Sequence, residues 1–380
     1  MDEKKSVCHC LISGGIGGIE RLVASLAKEQ AKSRAVSVLF CMGGGPFAEE
    51  VESIGIKTHY LGLSSGFDLM PGQIAKALSV FRRHDIIHLH ANNPVLFTAF
   101  LLSRKKGIFT FHGLTRSHRE LRLQDRVKNW LTYQTLYRSG IQVTTVSHFM
   151  ANLIRVNYPK IQDVRIIYNC WGNLVQAPAP RTEMRRNLGF KDDDLVILTY
   201  SRLVSNKRVD LLLRAYEALG SDKKKSITIV IAGDGPDRGR LETLSHELGI
   251  SDQVHFTGFI HNIFDYIRMA DACIFSTKSE AFGICALEAI LMGRIPIVMA
   301  DGGGILEIVK PVETMICKPG EVNSLTMEDV EGLTRALENL QKNQEKLKTY
   351  EPVLRAIASK YSPQKIVEQY DRLFSSKNQK

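Results

Sequence analysis

The sequence has little that would staple or anchor it. No apolar run reaches the roughly 18 residues a membrane-crossing helix needs. The apolar stretch that follows Lys4 and Lys5, Val7–Ile12, is short and carries His9, so it does not read as the core of a secretory leader. The seven cysteines, Cys8, Cys10, Cys41, Cys170, Cys273, Cys285 and Cys317, are odd in number and form no C-x-x-C pair. Most lie in apolar runs, where a thiol behaves as a small hydrophobe. This argues against a disulfide scaffold and for a reducing, cytoplasmic setting. The histidines do not fall at zinc-ligand spacing along the chain, and no metal is called for. With 12 prolines and 29 glycines in 380 residues, a collagen-like or mucin-like chain is excluded.

What is present fits a soluble globular protein: 44% hydrophobic and 24% charged residues. At roughly 100–200 residues per domain, the length predicts two domains, each able to bury a full core. The net charge of +10 is unevenly placed. Residues 1–170 hold 22 Lys and Arg against 12 Asp and Glu, whereas residues 171–380 hold 28 of each. A basic N-terminal half fits an acidic partner: anionic lipid, nucleic acid or a phosphorylated substrate.

The N-terminal half alternates short apolar runs with helical spacing. Strands are predicted at Ser6–Ile12, Val36–Cys41, Asp85–His90, Ile108–Phe111, Val143–Val146 and Arg165–Ile167, with a helix over Glu20–Lys32. A Pro-rich break, Gln176–Pro180, follows. The pattern restarts with strands at Leu195–Tyr200, Ile227–Ala232, Val254–Phe256, Ala272–Phe275 and Ile295–Val298, and helices at Val209–Leu219, Arg238–Glu247 and Ile284–Met292. From about residue 326 the chain reads as purely helical. The expected fold is α/β: an N-terminal Rossmann-like domain over 1–172, a second one over 181–360, and a terminal helix within 361–380 that could pack on either. Ligands of such sheets bind outside the carboxyl ends of the strands, here around a shared cleft.

Three segments carry candidate chemistry. In Ser279–Ala289 a strand end leads through Glu280 into a helix starting near Phe282, whose unpaired backbone N–H groups suit a phosphate. Glu288, in the apolar surround Ala-Leu-Glu-Ala-Ile-Leu, could accept two hydrogen bonds from ribose hydroxyls, or could be an ordinary helix carboxylate. In Ser201–Asp210, Arg202 and Lys207 directly follow a strand and could hold a diphosphate. Alone, that loop reads equally as a solvated basic turn. In Ser13–Arg21 a glycine-rich turn enters a helix, either to admit a ligand to the backbone or as a plain tight turn. It matches neither G-x-G-x-x-G nor the P-loop.

Taken in order, these segments resemble the retaining GT-B glycosyltransferases of the family 4 group. Gly17-Gly18-Ile19-Glu20 resembles the family's first-loop Gly-Gly-x-Glu, His88-Leu89-His90 its His-x-His, and Phe111-His112-Gly113 its Thr-x-His-Gly. Arg202 and Lys207 match its Arg/Lys pair, Gly233-Asp234-Gly235-Pro236 its G-x-G-P turn, and Val254–Gly258 its V-x-F-x-G. Glu280 and Glu288 match E-x7-E, and Gly302-Gly303-Gly304 with Glu307 resembles the late G-G-x-x-E. Departures are Ala281 for a glycine, Ser201 for a glycine, and Cys170-Trp171-Gly172 where Gly-Val-Asp is common.

The resemblance implies roles. Arg202 and Lys207 would bind the donor diphosphate and stabilise it as it leaves. Glu288 would hold the ribose, Glu280 would sit beside the donor sugar, and the amides of Phe282 and Gly283 would lie near sugar or phosphate. Gly17 and Gly18 would close over the phosphate from the other domain, and His112 would face the acceptor side through a sugar hydroxyl. It also implies a nucleotide-sugar donor, a UDP-sugar ahead of a GDP-sugar, transfer with retention, no metal or other cofactor, and a glycan or lipid-linked acceptor. The implied setting is bacterial cell-surface polysaccharide or glycolipid synthesis, lipopolysaccharide included.

Asp192-Asp193-Asp194 contains D-x-D but precedes a strand, and reads as a polar turn. The stretch 103–138 holds nine cations, among them Arg104, Lys105, Lys106 and Arg138, with Trp130, Leu131, Tyr133 and Leu136 between them. It reads either as a solvated face with a core stripe or as a surface for peripheral contact with an anionic membrane. Two rivals remain: a nucleotide-sugar epimerase on the same scaffold, and a basic nucleic-acid-binding protein, which leaves the C-terminal motifs without a purpose.

Overall fold

A computed structural model describes residues 5–15, 17–64, 70–113, 123–172, 179–220, 224, 226–316 and 325–375. The chain divides into two compact units, Met1–Asn173 with Tyr361–Lys380, and Leu174–Lys360. Most of the Pro-rich break lies outside the described residues.

The first unit holds a seven-stranded parallel sheet: β1 (Val7–Leu11), β2 (Val36–Phe40), β3 (Lys57–Tyr60), β4 (Ile86–Leu89), β5 (Lys106–Phe111), β6 (Gln142–Thr145) and β7 (Val164–Ile166), in the order β3-β2-β1-β4-β5-β6-β7. The short strand β3 escapes sequence reading because Lys57–Tyr60 has no buried residue to give it an apolar signature. In the second unit β8 (Leu195–Tyr200), β9 (Ile227–Ala232), β10 (Val254–Gly258), β11 (Ala272–Phe275), β12 (Ile295–Met299) and β13 (Thr326–Met327) form a six-stranded parallel sheet, in the order β10-β9-β8-β11-β12-β13. β13 corrects the purely helical expectation after 326. Two residues bonded to Val298 and Met299 are too few to show a period.

Strands β1 and β8 are buried along their whole length, as parallel strands covered on both faces must be. Each sits where the strand order reverses: β1 between β2 and β4, β8 between β9 and β11. That reversal opens a crevice at the carboxyl ends, where ligands of open α/β sheets bind.

Side-chain alternation sorts the first sheet into two faces. Cys8, Cys10, Ile87, Leu89, Phe109, Phe111 and Val143 join one apolar cluster. Val7, Ile86 and Ile108 join another, built with Leu22 and Leu26 of the helix Gly18–Ala31 and with the terminal helix Pro363–Ser375. The terminal helix contributes Ile366, Val367, Tyr370, Leu373 and Phe374, a spacing that makes one apolar stripe. Arg34 also pairs with Asp371 at 2.5 Å, and Lys5 Nζ donates to the Phe374 carbonyl at 3.1 Å. The last helix is thus part of the first unit.

In the second unit the helix Arg181–Asn187 carries Arg185, which is 1% exposed as a side chain. Its guanidinium donates to Asp271 Oδ2 at 2.7 Å and to the carbonyls of Met269, Lys191, Asp192 and Asp194. The acidic triplet is therefore a turn whose carbonyls, not carboxylates, serve the buried cation. The six described cysteines are free thiols.

Candidate active site

Three loops meet at the carboxyl edge of the second sheet, after β8, β11 and β12. Ser276 Oγ donates to the carbonyls of Lys207 and Arg208 at 2.9 and 2.7 Å, and Lys278 N donates to the Asn206 carbonyl at 2.9 Å. Ser279 N reaches the Asp301 carbonyl at 2.9 Å. Glu280 N donates to the Gly302 carbonyl and Gly304 N to the Glu280 carbonyl, both at 2.7 Å. These bonds hold the three loops together.

Lys207 Nζ donates to Glu280 Oε2, with 20% and 24% of the two side chains exposed. Burial alone would lower the Lys207 pKa, but the carboxylate outweighs it and the net shift is upward. Lys207 is thus a fixed cation at neutral pH. Arg202 is exposed, and its guanidinium has no partner among the described residues. One cation is anchored and one is available, as binding a mobile anion requires.

Gly233 and Gly235 bring the turn after β9 against this basic loop. A Cβ on Gly233, whose φ is +130°, would lie 1.9 Å from the Ser201 carbonyl oxygen. In return Leu203 N donates to the Asp234 carbonyl at 2.9 Å, which fixes the loop that presents Arg202.

Gly283 turns the chain into the next helix with φ +95°, and a Cβ there would meet Ile305 at 2.5 Å. Its left-handed backbone caps the helix, which spans Ile284–Leu291 and so starts where Ile284–Met292 was expected to. Phe282 is buried at 2% exposure and packs rather than faces solvent. Glu288 lies on the first turns of this helix at 4% exposure. Tyr200, the last residue of β8, donates to the Cys285 carbonyl at 2.6 Å and approaches Glu288 Oε2 at 3.4 Å. A carboxylate so deep is not an ordinary helix surface residue. Burial, and then Glu288 itself, push the Tyr200 pKa up, so the phenol stays a donor.

The structure therefore brings Lys207 and Glu280 into contact and sets Phe282, Gly283 and Glu288 on the same loop and helix. Arg208 and Asp301 were given no role by sequence reading. Arg208 Nη1 donates to Asp301 Oδ2 at 2.9 Å and a second bond runs from Nη2 to Oδ1, while Nε donates to the Ser276 carbonyl at 2.9 Å. This clamp ties all three loops. Arg208 was visible as a third cation of the basic loop, but nothing marked Asp301 as its partner.

Gly17, Gly18 and His112 belong to the first unit, at the carboxyl edge of its own sheet. Gly17 caps the helix Gly18–Ala31 in an extended conformation, and Gly18 is its exposed first residue. His112 follows β5 directly. Its Nε2 bonds His90 Nδ1 at 2.9 Å, and His90 Nε2 bonds His9 Nδ1 at 2.9 Å. Histidines scattered in sequence are thus clustered in space. Ring nitrogens of His9, His88 and His90 all lie within 4.8 Å of one another, the one group of metal-ligand type among the described residues. His9 and His90 already use nitrogens on each other, so the group is a hydrogen-bonded layer.

Comparison with known proteins bears on the family and the fold. The glycosyl transferases group 1 model matches residues 180–352, and the glycosyltransferase family 4 model matches residues 16–170. N-acetyl-alpha-D-glucosaminyl L-malate synthase of Bacillus anthracis is 25% identical over 376 residues, 94% of each chain. An uncharacterized glycosyltransferase of Methanocaldococcus jannaschii is 32% identical over 187 residues, 47% of each chain. Among solved structures, Anabaena HepE in complex with UDP and glucose superposes with a TM-score of 0.79 at 19% identity, covering 98% of this chain and 100% of that one. WaaG, a glycosyltransferase of lipopolysaccharide biosynthesis, superposes with a TM-score of 0.72 at 16% identity over the same shares. With one family model in each unit and two Rossmann-like parallel sheets of the GT-B type, the chain belongs to the group 1, family 4 type of glycosyltransferases.

Proposed function

We propose that this glycosyltransferase takes its sugar from a nucleoside-diphosphate donor, a UDP-sugar ahead of a GDP-sugar, and places it with retention on a hydroxyl of a glycan or lipid-linked acceptor. The observation that carries the reading is the Lys207–Glu280 contact together with an exposed Arg202, on the same loop as Lys207, that has no partner among the described residues. In this reading Arg202 and Lys207 bind the diphosphate. The acceptor oxygen bonds to the anomeric carbon on the face from which the carbon–oxygen bond to phosphate breaks. The departing phosphate oxygen takes the hydroxyl proton, and the two cations stabilise the charge that develops there. The step needs no metal, because these cations supply the positive charge.

Glu288 accepts from the ribose hydroxyls, with Tyr200 as a donor beside it. Glu280 holds Lys207 in place and stands next to the sugar. The Phe282 and Gly283 amides serve sugar or phosphate, Gly17 and Gly18 the phosphate, and His112 a sugar hydroxyl. UDP stands in the name of the Anabaena complex, and an N-acetylglucosaminyl group in that of the Bacillus anthracis relative; both support the donor class.

The test is thermal-shift binding against a panel of nucleotides and nucleotide sugars, with and without EDTA. The reading expects a shift with one nucleoside diphosphate that EDTA does not change. No shift with any member, from folded protein, would contradict it.

We further propose peripheral contact with the inner face of an anionic membrane, in keeping with cell-surface polysaccharide or glycolipid synthesis. Leu101, Leu102, Trp130 and Tyr137 are 48%, 56%, 57% and 51% exposed. A cavity of about 1100 Å³ is lined by Arg104, Lys105, Lys106, Lys160 and Arg165, with Asp163 as the one acid. Arg116, Arg119 and Arg122 lie outside the described residues. No described helix is long and apolar enough to cross a membrane, so the contact would be that of apolar anchors within a cationic rim.

A further inference from the structure

One face of the first sheet carries a line of polar side chains beneath the helix Gly18–Ala31. Gln30 Oε1 and His9 Nε2 are 2.8 Å apart, His9 Nδ1 and His90 Nε2 are 2.9 Å apart, and His90 Nδ1 and His112 Nε2 are 2.9 Å apart. Gln30 and His9 are wholly buried, and His90 is 6% exposed. The two ends of the line, Gln30 Nε2 and His112 Nδ1, are both shielded from water and have no partner among the described residues. His88 lies beside the line but is outside it, because its Nε2 bonds Thr110 Oγ1 at 2.7 Å.

A neutral imidazole has one N–H and one lone pair, so such a line has a direction. With Gln30 Oε1 as acceptor, His9 must carry its proton on Nε2. Its Nδ1 then accepts from His90 Nε2–H, and His90 Nδ1 accepts from His112 Nε2–H. His112 Nδ1 is left as a lone pair. All three rings take the tautomer that a free imidazole side chain prefers, whereas the reverse direction would force all three into the other. Burial keeps the rings neutral: the pKa of His9 and of His112 is lowered to about 4, and that of His90 falls well below its ordinary value. A shielded, unpaired nitrogen is unfavourable until something bonds to it. Between a sugar hydroxyl and an ionised phosphate oxygen, only the hydroxyl can donate to that lone pair.

We propose that Gln30, His9 and His90 are positioning residues that fix His112 in its Nε2–H tautomer, so that its Nδ1 accepts from a sugar hydroxyl and rejects a phosphate oxygen. The proposal rests on the reading of His112 as sugar-facing. Its tautomeric part stands without that reading, and no net proton transfer is involved.

The experiment is a long-range proton–nitrogen correlation spectrum of the full chain labelled with ¹⁵N-histidine, with His112 assigned by its loss in His112→Gln. In the wild type, His112 is expected to show a protonated Nε2 and a bare Nδ1. Gln30→Glu, whose carboxylate also accepts, keeps that pattern. Gln30→Met removes the acceptor and shifts His112 Nδ1 toward the protonated region as the tautomers mix. A wild-type His112 protonated on Nδ1, or an unchanged His112 in Gln30→Met, overturns the proposal. Should Gln30→Met not fold, the wild type still decides through nitrogen–nitrogen coupling across the His90–His112 hydrogen bond: its presence supports the line and its absence overturns it. The spectra need no turnover. A protein that shows the tautomers but transfers no sugar would sink the functional reading and leave the relay standing.

Discussion

Lys207 and Glu280 lie on the loops that follow neighbouring strands, β8 and β11, and their charged groups are in direct contact. The pair is a tertiary contact across 73 residues of chain, so it depends on both loops being in place. Lys207→Met removes the anchored cation and is expected to lower kcat/KM about 10²- to 10³-fold, the scale for losing one preorganised stabilising group. Glu280→Gln should lower it less, because Lys207 keeps its charge and loses only its anchor. Steady-state kinetics on both variants and their double mutant check this. Loss from the double mutant equal to the product of the single losses would mean that the two residues act independently.

Asp271 is the stability counterpart of that pair. Its side chain is 4% exposed and bonds Arg181, Arg185 and Val196 N. Asp271→Ala leaves the Arg185 charge buried without its carboxylate and is expected to cost about 3–5 kcal/mol in urea unfolding. Arg181→Ala should cost less, since its partner keeps the deeper contact.

Histidine burial makes stability pH-dependent. His9 and His112 titrate at about 4 in the folded chain, against 6.5 unfolded. Between those values the unfolded state binds more protons, so stability falls as pH drops from 6.5 toward 4. The slope is about 1.4 kcal/mol per pH unit for each group that titrates. The contribution is complete above pH 6.5 and levels off below 4. Urea midpoints at pH 7.5, 6.5, 5.5 and 4.5 measure it, and His9→Gln should flatten the curve.

The terminal helix is predicted to be indispensable to the first unit. Phe374→Ala should cost about 3–5 kcal/mol, because its ring is 5% exposed and also lies 5.6 Å from the Arg34 guanidinium. Residues 1–172 expressed without 361–375 would leave Val7, Leu22, Leu26 and Ile108 uncovered and should bind a hydrophobic dye. A cooperative thermal transition from that fragment would contradict the assignment.

Much of the fold was legible in the sequence because parallel strands are buried on both faces and read as continuous apolar runs. Leu195–Tyr200, Ile227–Ala232 and Ala272–Phe275 are strands at those very bounds. β3 and β13 were missed because one is scarcely buried and the other is two residues long. At the site, Glu288 stood out as a charge among apolar neighbours. The Arg208–Asp301 clamp did not, since a bond across 93 residues leaves no local pattern. The histidine line had a faint one: His9 and His88 fall inside strands β1 and β4, and His90 and His112 just past the ends of β4 and β5. Their common face, however, depends on which strands pair, and the sequence does not state the strand order.

The account's central claim is that the edge of the second sheet holds a nucleoside diphosphate through Arg202 and Lys207. Calorimetric titration of UDP and UMP into the wild type, Arg202→Ala and Lys207→Met, in EDTA, tests it most directly. The prediction is that the wild type binds UDP more tightly than UMP and that this difference collapses in both variants. Equal UDP affinity in all three proteins would contradict it.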